Sequence, residues 1–215
     1  MNEVEINKIE DLIGNLSEEL DAVKKAKHPL VYTLPWLAMA SVFSAVVVNY
    51  VGVRHDIADK LNDAAFLFEI TTVAIIGLFA TLASSFLMIP DMRGKKWLMP
   101  VTFTAVGLFA IWNVIKSVAQ GLHAYPMSFD HCMQEGLFMA FIPMMALIFF
   151  VRGGATTRPV MMGTMNILAG AAIAYIGLRF TCSMDTVWHS LITHLTPYLV
   201  IGAGLGFAAR RLYKW

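Results

Sequence analysis

The sequence predicts an all-α integral membrane protein. It would be a six-transmembrane-helix bundle with both termini cytoplasmic and a short N-terminal amphipathic cytoplasmic helix. Three observations lead there. Hydrophobic residues make up 58% of the chain and charged residues 14%, with a mean hydropathy of +0.64, whereas soluble domains carry roughly 45–50% apolar and about 25% charged residues. Six apolar segments each approach the length of about 20 residues that a spanning helix needs. Lys and Arg gather in alternate connections between them. The formal net charge of +1 offers no basic face of the kind that nucleic-acid binding requires.

Residues 1–28 read as a separate cytoplasmic segment ahead of a transmembrane domain, 29–215. The opening "MNEVEINKIEDL" is polar and acidic, unlike a cleavable signal peptide, so the first apolar segment is expected to stay in the mature protein. Ile6, Ile9, Ile13, Leu16, Leu20 and Val23 step by three and four residues, the seam of an amphipathic helix, and Leu12 widens it. Seven acidic residues between Glu3 and Asp21 surround the seam. Interfacial helices on anionic lipid favour Lys and Arg on the polar face. A cap on the bundle or a membrane-surface helix is one reading; the acidic face argues against anionic lipid, and the other reading is a soluble basic partner gripped by Ile9, Leu12, Ile13, Leu16, Leu20 and Val23. A helix this short needs something to pack on.

The six spans follow in order: Leu30 to Gly52, Phe66 to Ile89, Trp97 to Gly121, Met133 to Val151, Pro159 to Leu178 and Val187 to Ala209. Helices are required because lipid-exposed backbone must satisfy its own hydrogen bonds. Short links such as "PDMRGKKW", "HAYPMSFD" and "RGGATTRP" make successive spans antiparallel neighbours. Lys24, Lys25 and Lys27 precede the first span; Arg93, Lys95 and Lys96 follow the second. Arg152 and Arg158 follow the fourth, and Arg210, Arg211 and Lys214 follow the sixth. The opposite connections hold Arg54 and Lys60 diluted by Asp56, Asp59 and Asp63, no Lys or Arg in "HAYPMSFD", and Arg179 alone. The positive-inside rule therefore puts both termini in the cytoplasm. Cys132 and Cys182 fall on the outer side, in the periplasm of a Gram-negative cell, where disulfides persist.

Glu69, Lys116 and Glu135 interrupt the apolar runs at similar depth in the outer half. Such groups are costly in a bilayer unless paired or wet. A structural cluster, with Lys116 neutralising Glu69 or Glu135, is one reading. A small proton- or cation-coupled transporter is the alternative, but no comparable groups occupy the inner half and no internal repeat is visible.

The two cysteines carry acids and imidazoles close by: "SFDHCMQEGLF" holds His131, Cys132 and Glu135, and "TCSMDTVWHS" holds Cys182, Asp185 and His189. Thiolate, imidazole and carboxylate suit zinc, cadmium and other soft divalent metals. The candidate ligand set is Cys132, Cys182, His131, Glu135 and His189. His194 lies about one turn deeper. An acid beside a thiol serves a metal better than an oxidant, because it raises the thiol pKa. The absence of C-x-x-C weighs against a thiol oxidoreductase.

These features add up to a resemblance. "HC..EG" from His131 to Gly136, Pro143, "RGGATTRP" from Arg152 to Pro159, Gly170, Ala171, "C..D" at Cys182 and Asp185, Trp188, and the closing Gly202 to "RRLYKW" resemble the NrsF family of membrane-embedded anti-sigma factors. "DLIGNLSEELDAV" and Pro29 look like the cytoplasmic segment that opens those proteins. The resemblance implies a multi-pass protein of the bacterial inner membrane, not an enzyme. It would sequester an extracytoplasmic-function sigma factor through the N-terminal segment, without touching nucleic acid. Heavy-metal or oxidant stress, sensed through Cys132 and Cys182, would release the factor. No resident cofactor is implied, only a transient soft divalent metal at the periplasmic side. The N-terminal segment departs from the family in being more acidic and more heptad-like.

Overall fold

The computed structural model describes residues 3–18, 27–121 and 131–213. They are helical, with no strand among them. Helix α1 covers Glu3–Glu18, and Ile6, Ile9, Leu12, Ile13 and Leu16 on its stripe are all exposed. Leu20 and Val23 lie outside the described residues.

Six helical stretches are long and apolar enough to cross a membrane. They are α2 (Leu30–Val51), α4 (Ala64–Leu87), α5 (Leu98–Gln120), α6 (His131–Val151), α7 (Pro159–Thr181) and a composite stretch, Val187–Leu212. The composite is built from α8 (Val187–His189), a π-helical turn at Ser190–Leu195 and α9 (Thr196–Leu212). One turn, α3 (Ile57–Lys60), sits in the link between α2 and α4. The chain is a multi-pass membrane protein.

Local chemistry fixes several ends. The Asp63 carboxylate accepts from the Ala65 N–H and caps α4. Pro159 opens α7, where a missing N–H costs nothing. Gly52 and Gly121 follow α2 and α5 at φ of 105° and 78°, which favours glycine.

Helix α7 is the hub, packed on α2, α4, α6 and α9. Its small residues allow this, as is usual where apolar lipid offers no hydrophobic drive between helices. A Cβ on Gly170 would sit 2.9 Å from Met144 Cβ, and one on Gly177 2.6 Å from Met139 Sδ. The largest buried cluster runs through Trp36, Met144, Leu147, Met162, Met165 and Ala169. The Trp36 indole donates to the Pro143 carbonyl inside α6 at 2.7 Å. Helix α5 stands at the margin, packed chiefly on α4.

The two ends of the bundle differ. One carries the α2–α4 link, Gly121 and the segment between α7 and α8; there Arg54 N–H donates to Phe180 O and the Trp188 indole to Gly121 O. The other carries Met88 to Trp97, Arg152 to Arg158 and Tyr213. There Asn166 bridges Ser84 and Tyr213. Lys27, Lys95, Lys96, Arg152, Arg158, Arg210 and Arg211 are exposed, and by chain direction they belong to this second end.

Candidate functional site

The first end gathers both thiols. Cys132 lies in the first turn of α6, and Cys182 directly follows α7. Antiparallel packing of α6 on α7 puts them side by side, with the Cys132 thiol 3.3 Å from Cys182 Sγ. No disulfide joins them; Cys182 is buried and Cys132 half-buried. His189 Nε2 stands 3.3 Å from Cys182 Sγ on the other side. His194 completes a group in which one donor atom from each of Cys132, Cys182, His189 and His194 lies within 4.8 Å of the others. Both imidazoles are fully buried.

A model matching the NrsF family, described as a negative regulator of sigma F, covers residues 16–215. This chain belongs to the NrsF family. No curated protein and no solved structure matches it. The match begins inside α1, so Ile9, Leu12 and Ile13 precede it and Leu16 falls within it.

The donor group differs from the expected ligand set in three members. His131 is exposed, and Glu135 is half-buried but outside the group. Helix geometry explains the first, since neighbouring residues point about 100° apart, and Cys132 already takes the direction toward Cys182. His194 enters because of the π turn. In an α-helix, residues five apart point roughly 140° away from each other around the axis. The wider turn brings the His189 and His194 rings to a centroid separation of 4.9 Å. Pro197 accounts for the turn: it has no N–H for the carbonyl four residues back, and its ring crowds that carbonyl. Spacing alone did not reveal His194, but Pro197 was the available signal.

Asp185 is not a partner of the thiols. It lies in the extended segment before α8, not one helical turn from His189. There it pairs with Arg54 at 2.9 Å, Lys60 at 2.7 Å and Arg179 at 2.9 Å. The Arg54 side chain is completely covered. Its guanidinium also donates to both Asp56 oxygens and to the Cys182 carbonyl at 2.9 Å. Arg54 thus grips the segment that carries the thiol. The electrostatics follow. Burial would raise the Asp185 pKa, but Arg54, Lys60 and Arg179 hold it well below the carboxylate range. Asp56, hydrogen-bonded by Arg54, drops to about 2. The Arg54 guanidinium is raised by hydrogen bonds to Asp56 and then Asp185. The Cys182 thiol is pulled far down, first by the Cys132 hydrogen bond and then by His189 and His194, against burial. The thiolate it favours is the metal-binding and nucleophilic form.

The intramembrane cluster also differs from expectation. Glu69 pairs with Lys116 at 2.7 Å, as the structural reading has it. Its other partners are Arg179, 2.8 Å away as an ion pair, and the Tyr175 hydroxyl, which donates at 2.7 Å. Glu135 has no place in that cluster. Helix α7 runs past Leu178 to Thr181, so Arg179 lies buried in its last turn rather than in an outer link. The guanidinium also lies 5.1 Å from the Phe66 ring centroid. A chain of opposite charges therefore runs from Lys116 through Glu69 and Arg179 to Asp185 and Arg54.

Proposed function

We propose that this protein is an anti-sigma factor of the bacterial inner membrane with both termini in the cytoplasm. Its N-terminal segment holds an extracytoplasmic-function sigma factor away from RNA polymerase. Periplasmic heavy-metal or oxidant stress, acting on Cys132 and Cys182, releases the factor. The protein works by binding, not by catalysis.

One observation carries the reading most. In a chain whose family regulates a sigma factor, α1 leaves Ile9, Leu12, Ile13 and Leu16 about half exposed or more. Amphipathic helices bind by laying such a stripe into a partner's groove. Burying each large side chain contributes roughly 1.5–3 kcal/mol. The acidic flank adds complementarity to a basic partner. Basic residues at the same end of the bundle support a cytoplasmic side for it.

The test changes Leu16 and Leu20 to Asp together in cells carrying the cognate sigma factor. The expected result is constitutive expression of its target genes and loss of the factor from the membrane fraction. Unchanged repression, with the variant still in the membrane, would exclude this surface.

A further inference from the structure

We infer that His194 is a metal ligand, and that Cys132, Cys182, His189 and His194 form a four-donor site for a tetrahedral d10 divalent cation such as zinc or cadmium. This rests on the sensing reading above and names the chemical class of its ligand.

His194 carries the inference. It is 0% exposed, and neither ring nitrogen has a well-formed hydrogen bond; the Cys182 sulfur, within 4.8 Å, acts on it without one. Its ring is edge-on to His189 and lies 6.0 Å from the Tyr175 ring. A buried polar group without a partner is costly, and placing an imidazole in a membrane-spanning stretch compounds the cost. A cation held by one of its nitrogens would relieve that nitrogen's share of the cost.

The geometry fits one class of cation. Zn–S bonds of about 2.3 Å and Zn–N bonds of about 2.0–2.1 Å set tetrahedral donors roughly 3.3–3.8 Å apart. The two sulfurs stand at 3.3 Å, Cys182 Sγ and His189 Nε2 at 3.3 Å, and all four donors fall within 4.8 Å. Small adjustments would let them close on one ion. Two sulfurs and two nitrogens without a carboxylate suit a soft or borderline cation, not magnesium or calcium. The donors come from α6, the segment after α7, the end of α8 and the π turn. An ion bound to all four would tie α6 and α7 to the sixth span.

The experiment uses the full chain, purified in detergent with its thiols reduced, and cobalt(II) as the spectroscopic probe of a zinc site. The wild type should bind one cobalt with thiolate charge-transfer bands and the intense visible bands of a tetrahedral centre. Cadmium or zinc should displace it. His194→Phe keeps a ring of similar size without a donor, and His194→Asn keeps a polar group. Each should weaken cobalt binding at least on the order of tenfold and shift the visible bands, with the far-ultraviolet helix signal retained. X-ray absorption on the zinc-loaded wild type should give two sulfur and two nitrogen neighbours. Variants with wild-type affinity and spectrum would overturn the inference, and so would a zinc shell with a single nitrogen. A wild type that takes up no cobalt would overturn it too, even if the protein retains its sigma factor. Release of the sigma factor from the wild type without any signal would instead strike at the docking reading and leave the site standing.

Discussion

The two ends of the bundle solve the problem of polar groups in an apolar chain in opposite ways. At the thiol end, Arg54, Glu69 and Arg179 are almost completely covered and joined through ion pairs that also take in Asp185, Lys60 and Lys116. Among the described residues of the far end the buried polar groups are neutral: Ser84, Asn166 and Tyr213 share hydrogen bonds, and the charged ones stand in the open. The difference bears on the proposed sensing role. A neutral hydrogen-bond set holds helices together and responds little to a nearby charge. A buried ion-pair chain beside two thiols responds to any change of charge at those thiols, since buried charges are screened far less than exposed ones. On the proposed sensing role, the thiol end is the one suited to feel a ligand and the far end the one suited to hold the frame.

The largest expected effect falls on the charged end. Glu69→Ala leaves buried Arg179 with Asp185 alone as its carboxylate and strips Lys116 and Tyr175 of theirs. Breaking a buried pair from one side costs on the order of 3–5 kcal/mol. Thermal unfolding in detergent should show this loss, and Glu69→Leu combined with Arg179→Leu should recover part of it. A loss below about 1 kcal/mol would mean that the cluster is wet and the contrast between the ends is weaker than drawn.

Arg54→Ala comes next. It removes charge-assisted hydrogen bonds to Asp185 and to the Cys182 carbonyl, a loss of roughly 1.5–3 kcal/mol. It also frees the segment that bears Cys182, so maleimide should label that buried thiol faster than in the wild type. Unchanged labelling would show that α6 and the π turn hold Cys182 without the guanidinium.

Asn166→Ala probes the neutral end. It leaves Ser84 and Tyr213 without a shared partner, at about 1–3 kcal/mol. Cobalt affinity at the thiols should not move. A matched loss of cobalt affinity would show that the two ends are rigidly coupled.

The smallest effect is expected from pH. The Asp56 and Asp185 carboxyls are depressed in the folded protein. Their contribution to stability is complete above the unfolded value of about 3.9 and is lost only as pH falls below it toward the folded values. The melting temperature should therefore not change on their account between pH 7 and pH 5, and should fall below about pH 4. An earlier fall would mean that Asp185 is less firmly paired than its three cations suggest.

Much of this was legible in the chain. Each apolar run became a spanning helix within a few residues of its predicted ends, because the run's length and the link chemistry act locally. The Lys116–Glu69 pair was half legible: a lone lysine in an apolar run demands a carboxylate at its own depth, but Glu69 and Glu135 both offered one, and packing chose Glu69. Arg54 was not. It read as a loop residue adding one positive charge, and nothing in "GVRHDI" says that its fork closes on a segment far along the sequence. Arg179 was misplaced for a related reason: its charge suggested a link, while Glu69 and Asp185 hold it inside the helix.

The sequence by itself determined the membrane class, the six spans, the exposed stripe of α1 and the nearness of each cysteine to the same end of the bundle. Those properties follow from composition and periodicity, which need no distant partner. Tertiary structure decided which groups meet. Helix packing brought Cys132 and Cys182 to 3.3 Å. The π turn put His194 among the donors and left His131 and Glu135 out. The physical reason is rotational: spacing along the chain fixes depth in the bundle, but the direction a side chain faces depends on helix register and on the neighbour packed against it.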